Sequence, residues 1–191
     1  MKIKTVLPIL TALSLTSTAK AEPFSDELLF EIDAGYSLIR HSWSDTNGKT
    51  LYKSNMKEIG ASIDYNGFGL RIGYGELDGL SEDTNGAYPN VAIDFEHIWS
   101  FELLYTSYIN DKWRIYGGIG SYLLPVDHYY RKGDEWVFGK NDEDNDEGIF
   151  FGVKYSLTED ISVNLKVTQY SWIQDWKEYT RGASIGLSYR F

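Results

Sequence analysis

Few residues of this chain are able to do chemistry. It has 3 His and no Cys, which excludes thiolate metal sites, cysteine nucleophiles, disulfides and a lipidated N-terminal Cys. A hydrolase needs a base and an acid beside its nucleophile. His97 and Ser100 stand three apart, so a strand would turn them to opposite faces. His41 and Ser42 are adjacent and diverge in the same way unless a bulge intervenes. His128 stands among Tyr129, Tyr130 and Arg131. No catalytic residue is therefore expected, and the three His read as interfacial or loop residues. Asn141-Asp142-Glu143-Asp144-Asn145-Asp146-Glu147-Gly148 alternates acids as a calcium loop does, but lacks a Glu at the distance that loop requires. A solvated acidic run is expected there, with divalent-cation bridging to phosphates as the functional alternative. No metal site and no cofactor are expected.

Residues 1–21, MKIKTVLPILTALSLTSTAKA, have a basic start, a short apolar core and Ala19-Lys20-Ala21 before Glu22. This is a secretory signal peptide, expected to be cleaved near Ala21, and 22–191 is expected to form one domain. Losing Lys2, Lys4 and Lys20, and no acid, takes the net charge from −10 to −13. So acidic a chain has no nucleic-acid footprint. Fifteen Tyr, nine Phe and six Trp are too many aromatics for a disordered chain.

The elements that must position these residues are strands. Period-2 hydrophobicity recurs in eight segments: 30–38, 58–65, 68–75, 95–106, 113–123, 149–157, 161–168 and 183–191. Asn66-Gly67 is a strong hairpin signal. Asn110-Asp111 and Glu159-Asp160 make two more short turns, whereas 42–55, 76–94, 125–147 and 172–181 read as long loops. Tight turns at one end and long polar loops at the other are the pattern of an eight-stranded antiparallel up-and-down transmembrane β-barrel.

In such a barrel the apolar face points outward and the polar face lines the lumen. The polar set carries Glu31, Asp33, Glu58, Asp64, Glu96 and Glu102 against Arg71, Arg114, Lys154, Lys166 and Arg190. So near a balance suits a closed interior where charges must pair, and these eleven are expected to form an interior ion-pair network. Phe30, Tyr65, Phe68, Trp113 and Tyr155 gather at the short-turn end of the apolar face, as an aromatic girdle at a bilayer interface would. A soluble barrel of lipocalin type would have the faces reversed. Tyr129, Tyr130, Trp136 and Phe138, with Trp172, Trp176 and Tyr179, read either as partner contacts or as an outer girdle and loop packing.

The last strand ends Ile185-Gly186-Leu187-Ser188-Tyr189-Arg190-Phe191. It resembles the C-terminal assembly signal of bacterial outer-membrane proteins, carried here by Ile185, Gly186, Leu187, Tyr189 and Phe191. Residues 108–120 and 152–161 are similar to segments of the OmpX/Ail and OmpA-like barrels, and the resemblance covers most of 28–191. It implies a Gram-negative outer membrane, contact with outer-membrane lipid and lipopolysaccharide, recognition by the barrel assembly machinery, and a monomer. OmpA-type barrels carry an interior gate of carboxylate–base pairs. By local matching the gate glutamates fall at Arg71 and Lys154 and the gate arginine at Asn164, so the gate does not carry over. Arg71 and Lys154 are expected to pair with Glu31, Asp64, Glu58 or Glu102.

Side chains nearly fill a barrel of this strand number, which excludes passage of large solutes. The expected role is structural or interactive: envelope integrity, adhesion or stress tolerance, with a surface ligand held through 76–94 and 125–147. A lipid A-modifying enzyme and a narrow ion-leak channel are the alternatives.

Overall fold

Strict alternation over eight segments leaves the chain no element but the strand. In the computed structural model, which describes residues 28–45, 48–83, 85–170 and 178–191, those segments are strands, with 95–106 broken at Glu96. The expected signal peptide and the aromatic residues Trp172 and Trp176 lie outside the described residues. The elements are β1 (Leu29–Asp45), β2 (Gly48–Lys49), β3 (Tyr52–Tyr65), β4 (Phe68–Leu77), β5 (Ser81–Glu82), β6 (Val91–Phe95), β7 (His97–Tyr108), β8 (Trp113–Lys132), β9 (Glu135–Ser156), β10 (Ile161–Gln169) and β11 (Glu178–Arg190).

Eight of these run antiparallel in the order β8-β7-β4-β3-β1-β11-β10-β9, and β8 pairs with β9 to close the ring. Closure leaves the barrel without an open edge. At one end the turns are tight. Asn66 and Gly67 take φ of 54° and 80°, the left-handed pair a two-residue type I′ hairpin needs. Asn110 Oδ1 accepts from the amides of Lys112 and Trp113, and Thr158 Oγ1 from those of Asp160 and Ile161. Phe191 N donates to Phe30 O at the same end.

The faces are those of a membrane barrel. Along β7, Glu102 is 2% exposed and its neighbour Leu103 is 56% exposed. Phe30, Ile32, Ile59, Ile72, Phe101, Ile119, Leu165 and Leu187 all point outward from the sheet, whereas Glu31, Arg71, Arg114, Asn164 and Lys166 are buried inside. A soluble barrel would reverse this.

The other end departs from the expected long loops. β3 begins at Tyr52, so much of the first loop is strand. The third is a β-ribbon: above Leu123 and below Ile149, β8 and β9 leave β7 and β10 and continue paired with each other to a two-residue turn at Gly133-Asp134. Gly133 (φ 67°) sits at the turn's first central position, where a type II′ hairpin requires it. The run Asn141–Gly148, expected as a solvated loop, is part of β9, with Asn145, Asp146 and Glu147 paired to Leu123, Tyr122 and Ser121. Successive acids on a strand diverge, which removes the calcium-loop geometry. The side chains of 142–144 lie outside the described residues.

Candidate functional site

The site the fold builds is the lumen, together with the ribbon above it. In the half nearest the short turns, inward positions are charged. Arg71 (β4) donates to Asp33 (β1) through Nε at 2.9 Å and Nη2 at 2.6 Å, and to Glu102 through Nη1 at 3.2 Å. Its guanidinium crosses β3 to get there. Gly60, opposite both Asp33 and Gly73, leaves the room, because a Cβ at Gly60 would land on that guanidinium. Glu102 also takes Lys166 Nζ at 3.3 Å and the Tyr122 hydroxyl at 3.3 Å, and Lys166 reaches Glu58 at 3.7 Å. In a second cluster Glu31 holds Lys154 Nζ and lies 3.7 Å from Arg114, whose Nη2 donates to Ser162 Oγ at 2.5 Å. Arg114 and Lys154 face each other across β8–β9, so Glu31 separates two like charges. Asp64 and Arg190 line the same cavity, and Asp64 caps the first hairpin by accepting from Gly67 N at 3.0 Å.

Two expectations need correction. Glu96 is not in the network. Four steps of chain from Phe95 to Trp99 face three from Leu123 to Val126, so a bulge lies between β6 and β7. The bulge turns Phe95 inward, at 3% exposure, and Glu96 outward, where its carboxylate lies 3.9 Å from His97 Nδ1. Without Glu96 the acids Glu31, Asp33, Glu58, Asp64 and Glu102 face the bases Arg71, Arg114, Lys154, Lys166 and Arg190, five against five, among the described residues. The partners also differ. Lys154 meets Glu31 and Arg71 meets Glu102 as expected, but Arg71 binds most closely to Asp33, two strands away. Asn164, at the matched gate-arginine position, donates instead to Ser188 Oγ at 2.8 Å.

The outer half of the lumen is mainly apolar, with His41 set beside the Tyr52 and Phe95 rings. Ile39, Tyr52, Met56, Leu77, Ile93, Phe95, Ile98, Tyr122, Leu124, Val126 and Tyr170 form one buried cluster there. Free space among the charges is about 40 Å³, enough for a few waters, and beneath the apolar plug only about 10 Å³.

Outside the barrel, Trp113 packs at a tilt against Tyr155 and Phe68 against Tyr105, with centroids 4.8 and 5.0 Å apart, and with Phe30 and Tyr65 they ring the short-turn end. Ile185, Leu187, Tyr189 and Phe191 point outward from the β11 end, with Gly186 between them facing in against Ala34.

His41 and Ser42, adjacent in sequence, turn to different partners. Ser42 Oγ donates to Thr50 O at 2.5 Å, and His41 Nδ1 bonds Thr180 Oγ1 at 2.8 Å. Among the described residues no group of three or more His, Asp and Glu is arranged to hold a metal.

Above the plug, β8 runs nine residues beyond Leu123, about 30 Å of strand. Two-stranded ribbons are marginal alone. Here β6 pairs along the β8 side and β5 along β6. Asp83 ties down the next segment by accepting from the amides of Leu51 (2.8 Å), Asn85 (2.9 Å) and Tyr88 (3.0 Å). Burial opposes its charge, but these bonds outweigh burial and hold the carboxyl below its ordinary value. Sequence reasoning missed Asp83; the Asp-x-Asn-Gly turn around it was the available signal. Tyr130, Val137 and Phe138 stand exposed on the ribbon, and the Arg131 guanidinium lies 5.9 Å from the Trp136 ring.

Comparison with known proteins agrees with this geometry. A family model described as outer membrane protein beta-barrel domain matches residues 8–191. The crystal structure of Neisserial surface protein A aligns with a TM-score of 0.56 at 15% identity, covering 89% of this chain and 100% of that one. Ail, the attachment invasion locus protein of Yersinia pestis, in complex with the heparin analogue sucrose octasulfate, aligns with a TM-score of 0.59 at 13% identity, covering 86% and 99%. At these identities the likeness is one of fold. No curated protein matches the chain.

Proposed function

As the chain belongs to the outer membrane protein beta-barrel domain family, we propose that it is a sealed barrel whose work is done at the cell surface by the β8–β9 ribbon and the 81–90 segment. The observation that carries this reading is the plugged lumen beneath a braced ribbon. A conducting pore needs a continuous wet path, and here a charge-balanced layer is followed by an apolar one. The exposed Tyr130, Val137 and Phe138 beside the Arg131–Trp136 pair have the composition of a contact surface, aromatic side chains with an Arg among them. Adhesion is the role this surface fits best. The outward apolar row ending at Phe191 supports hand-over to the barrel assembly machinery, and the outward apolar band supports contact with outer-membrane lipid.

The test is to replace Tyr130–Val137 by an Asn-Gly turn and measure binding of expressing cells to a host-cell monolayer. The trimmed barrel should keep its fast-running unheated band in SDS gels and lose adhesion. Unchanged adhesion would refute the ribbon's role. Discrete conductance steps in a planar bilayer, or a changed lipid A mass spectrum on expression, would point instead to a channel or to an enzyme.

A further inference from the structure

Above the lipid-facing band the register of three neighbouring strands creates a row of like charges. Arg40 on β1 lies directly opposite Arg181 on β11 and directly opposite Lys53 on β3. All three side chains are exposed on the outer surface of the sheet. Directly opposed residues have Cβ atoms only about 4.5–5.5 Å apart, and like charges so placed repel. No carboxylate lies within 4 Å of any of the three among the described residues, although the chain carries 28 acids. Lys49 adds a fourth cation: its Nζ lies 5.1 Å from the centroid of the Tyr179 ring, which also has the Arg181 guanidinium at 4.5 Å.

The height of the row says what it meets. On β1 the outward residues Phe30, Ile32, Ala34, Tyr36 and Leu38 precede Arg40, and on β11 Ala183, Ile185, Leu187 and Tyr189 follow Arg181. Phe30 to Arg40 is eleven residues, about what a tilted strand needs to cross the hydrocarbon. On β3 the outward charge begins lower, at Lys57 opposite Tyr36 and Glu76, so the three cations stand at or above the level where the outer leaflet's headgroups begin.

We propose that Arg181, Arg40 and Lys53 form a binding site for the phosphates of an outer-leaflet lipid headgroup. Guanidinium forks bind phosphate oxygens in pairs, and one bridging phosphate relieves the repulsion between neighbours. The site rests on the membrane placement of the barrel and is independent of the ribbon's role.

The test uses the full barrel folded in phosphatidylcholine vesicles, alone, with lipid A, or with lipid A stripped of phosphate. The readout is the temperature at which the heat-modifiable band is lost. Phosphorylated lipid A should raise it by roughly 5 °C, the order expected of a ligand near a hundredfold its dissociation constant. Stripped lipid A and free inorganic phosphate should not. The variant Arg40→Gln/Lys53→Gln/Arg181→Gln should fold, be no less stable than the parent without lipid A, because repulsion is removed, and show no rise with it. Lys132→Gln/Lys140→Gln, on the ribbon, should keep the full rise. The site is refuted if the first variant keeps the rise, if the ribbon variant loses it, if stripped lipid or free phosphate gives the same rise, or if the first variant is destabilised without lipid A.

Discussion

Arg71 and Asp33 join strands that are not neighbours. The guanidinium on β4 passes over Gly60 of β3 to hold both carboxylate oxygens of Asp33 on β1. This two-pronged bond, buried in the lumen, ties three strands together across their hydrogen-bonded ladders.

Removing one member should therefore cost more than an exposed pair would. Asp33→Asn leaves a buried guanidinium short of charge, and a loss of about 3 kcal/mol is expected. Urea unfolding in detergent micelles measures it. The double variant Asp33→Asn/Arg71→Gln should lose less than the sum of the two single changes, because the stranded charge is gone.

Gly60→Ala should disturb the same bond without touching either charge. Its Cβ would displace the Arg71 guanidinium, and a cost of about 1–3 kcal/mol is expected for overpacking. Unfolding that matches the parent would mean Arg71 takes another path to Asp33.

Opposite the ribbon's base, Asp94 faces Asp127 across β6–β8. Burial, then Glu96, then Asp127 raise its carboxyl above the ordinary range. An acid with a raised folded pKa costs stability at neutral pH, and the cost fades as pH falls through that value. Asp94→Asn should then slow hydrogen exchange of Val91–Phe95 at neutral pH, and the difference from the parent should vanish below about pH 4.

Asp83 should behave in the opposite sense. Its folded value is depressed, so its contribution is present above the ordinary carboxylate value and lost as pH falls through the folded one. Acid should release the amides of Leu51, Asn85 and Tyr88 to exchange, and Asp83→Ala should release them at neutral pH. Protection that survives the substitution would show that the segment is held by other bonds.

The barrel was legible because alternation is a local property and the turn residues are specific: Asn66-Gly67 alone sets one hairpin. The lumen was legible as a set of charges, since period 2 assigns them to one face. Glu96 was misassigned because one extra residue reverses every face beyond it, and nothing in the run Asp94-Phe95-Glu96-His97 marks the bulge. The pairing of Arg71 with Asp33 was hidden because it depends on a side chain crossing a strand at Gly60. The outer plug was hidden because its residues continue the inward phase of the strands but switch from polar to apolar midway, as from Ser37 to Ile39 and from Ser100 to Ile98. The acidic ribbon strand read as loop because its composition resembles one, and only pairing with β8 makes it a strand.

The central claim is that the apolar face meets lipid and the charged face is sealed inside. The chain has no Cys, so single cysteines can carry nitroxide labels without background. Labels at Leu103 and at the inward Ser100 of the barrel in phospholipid vesicles should be compared for collision with oxygen and with a water-soluble nickel chelate. Leu103 should be relaxed strongly by oxygen and hardly by nickel, and Ser100 by neither. A Leu103 label reached readily by nickel would place that face in water and contradict the account.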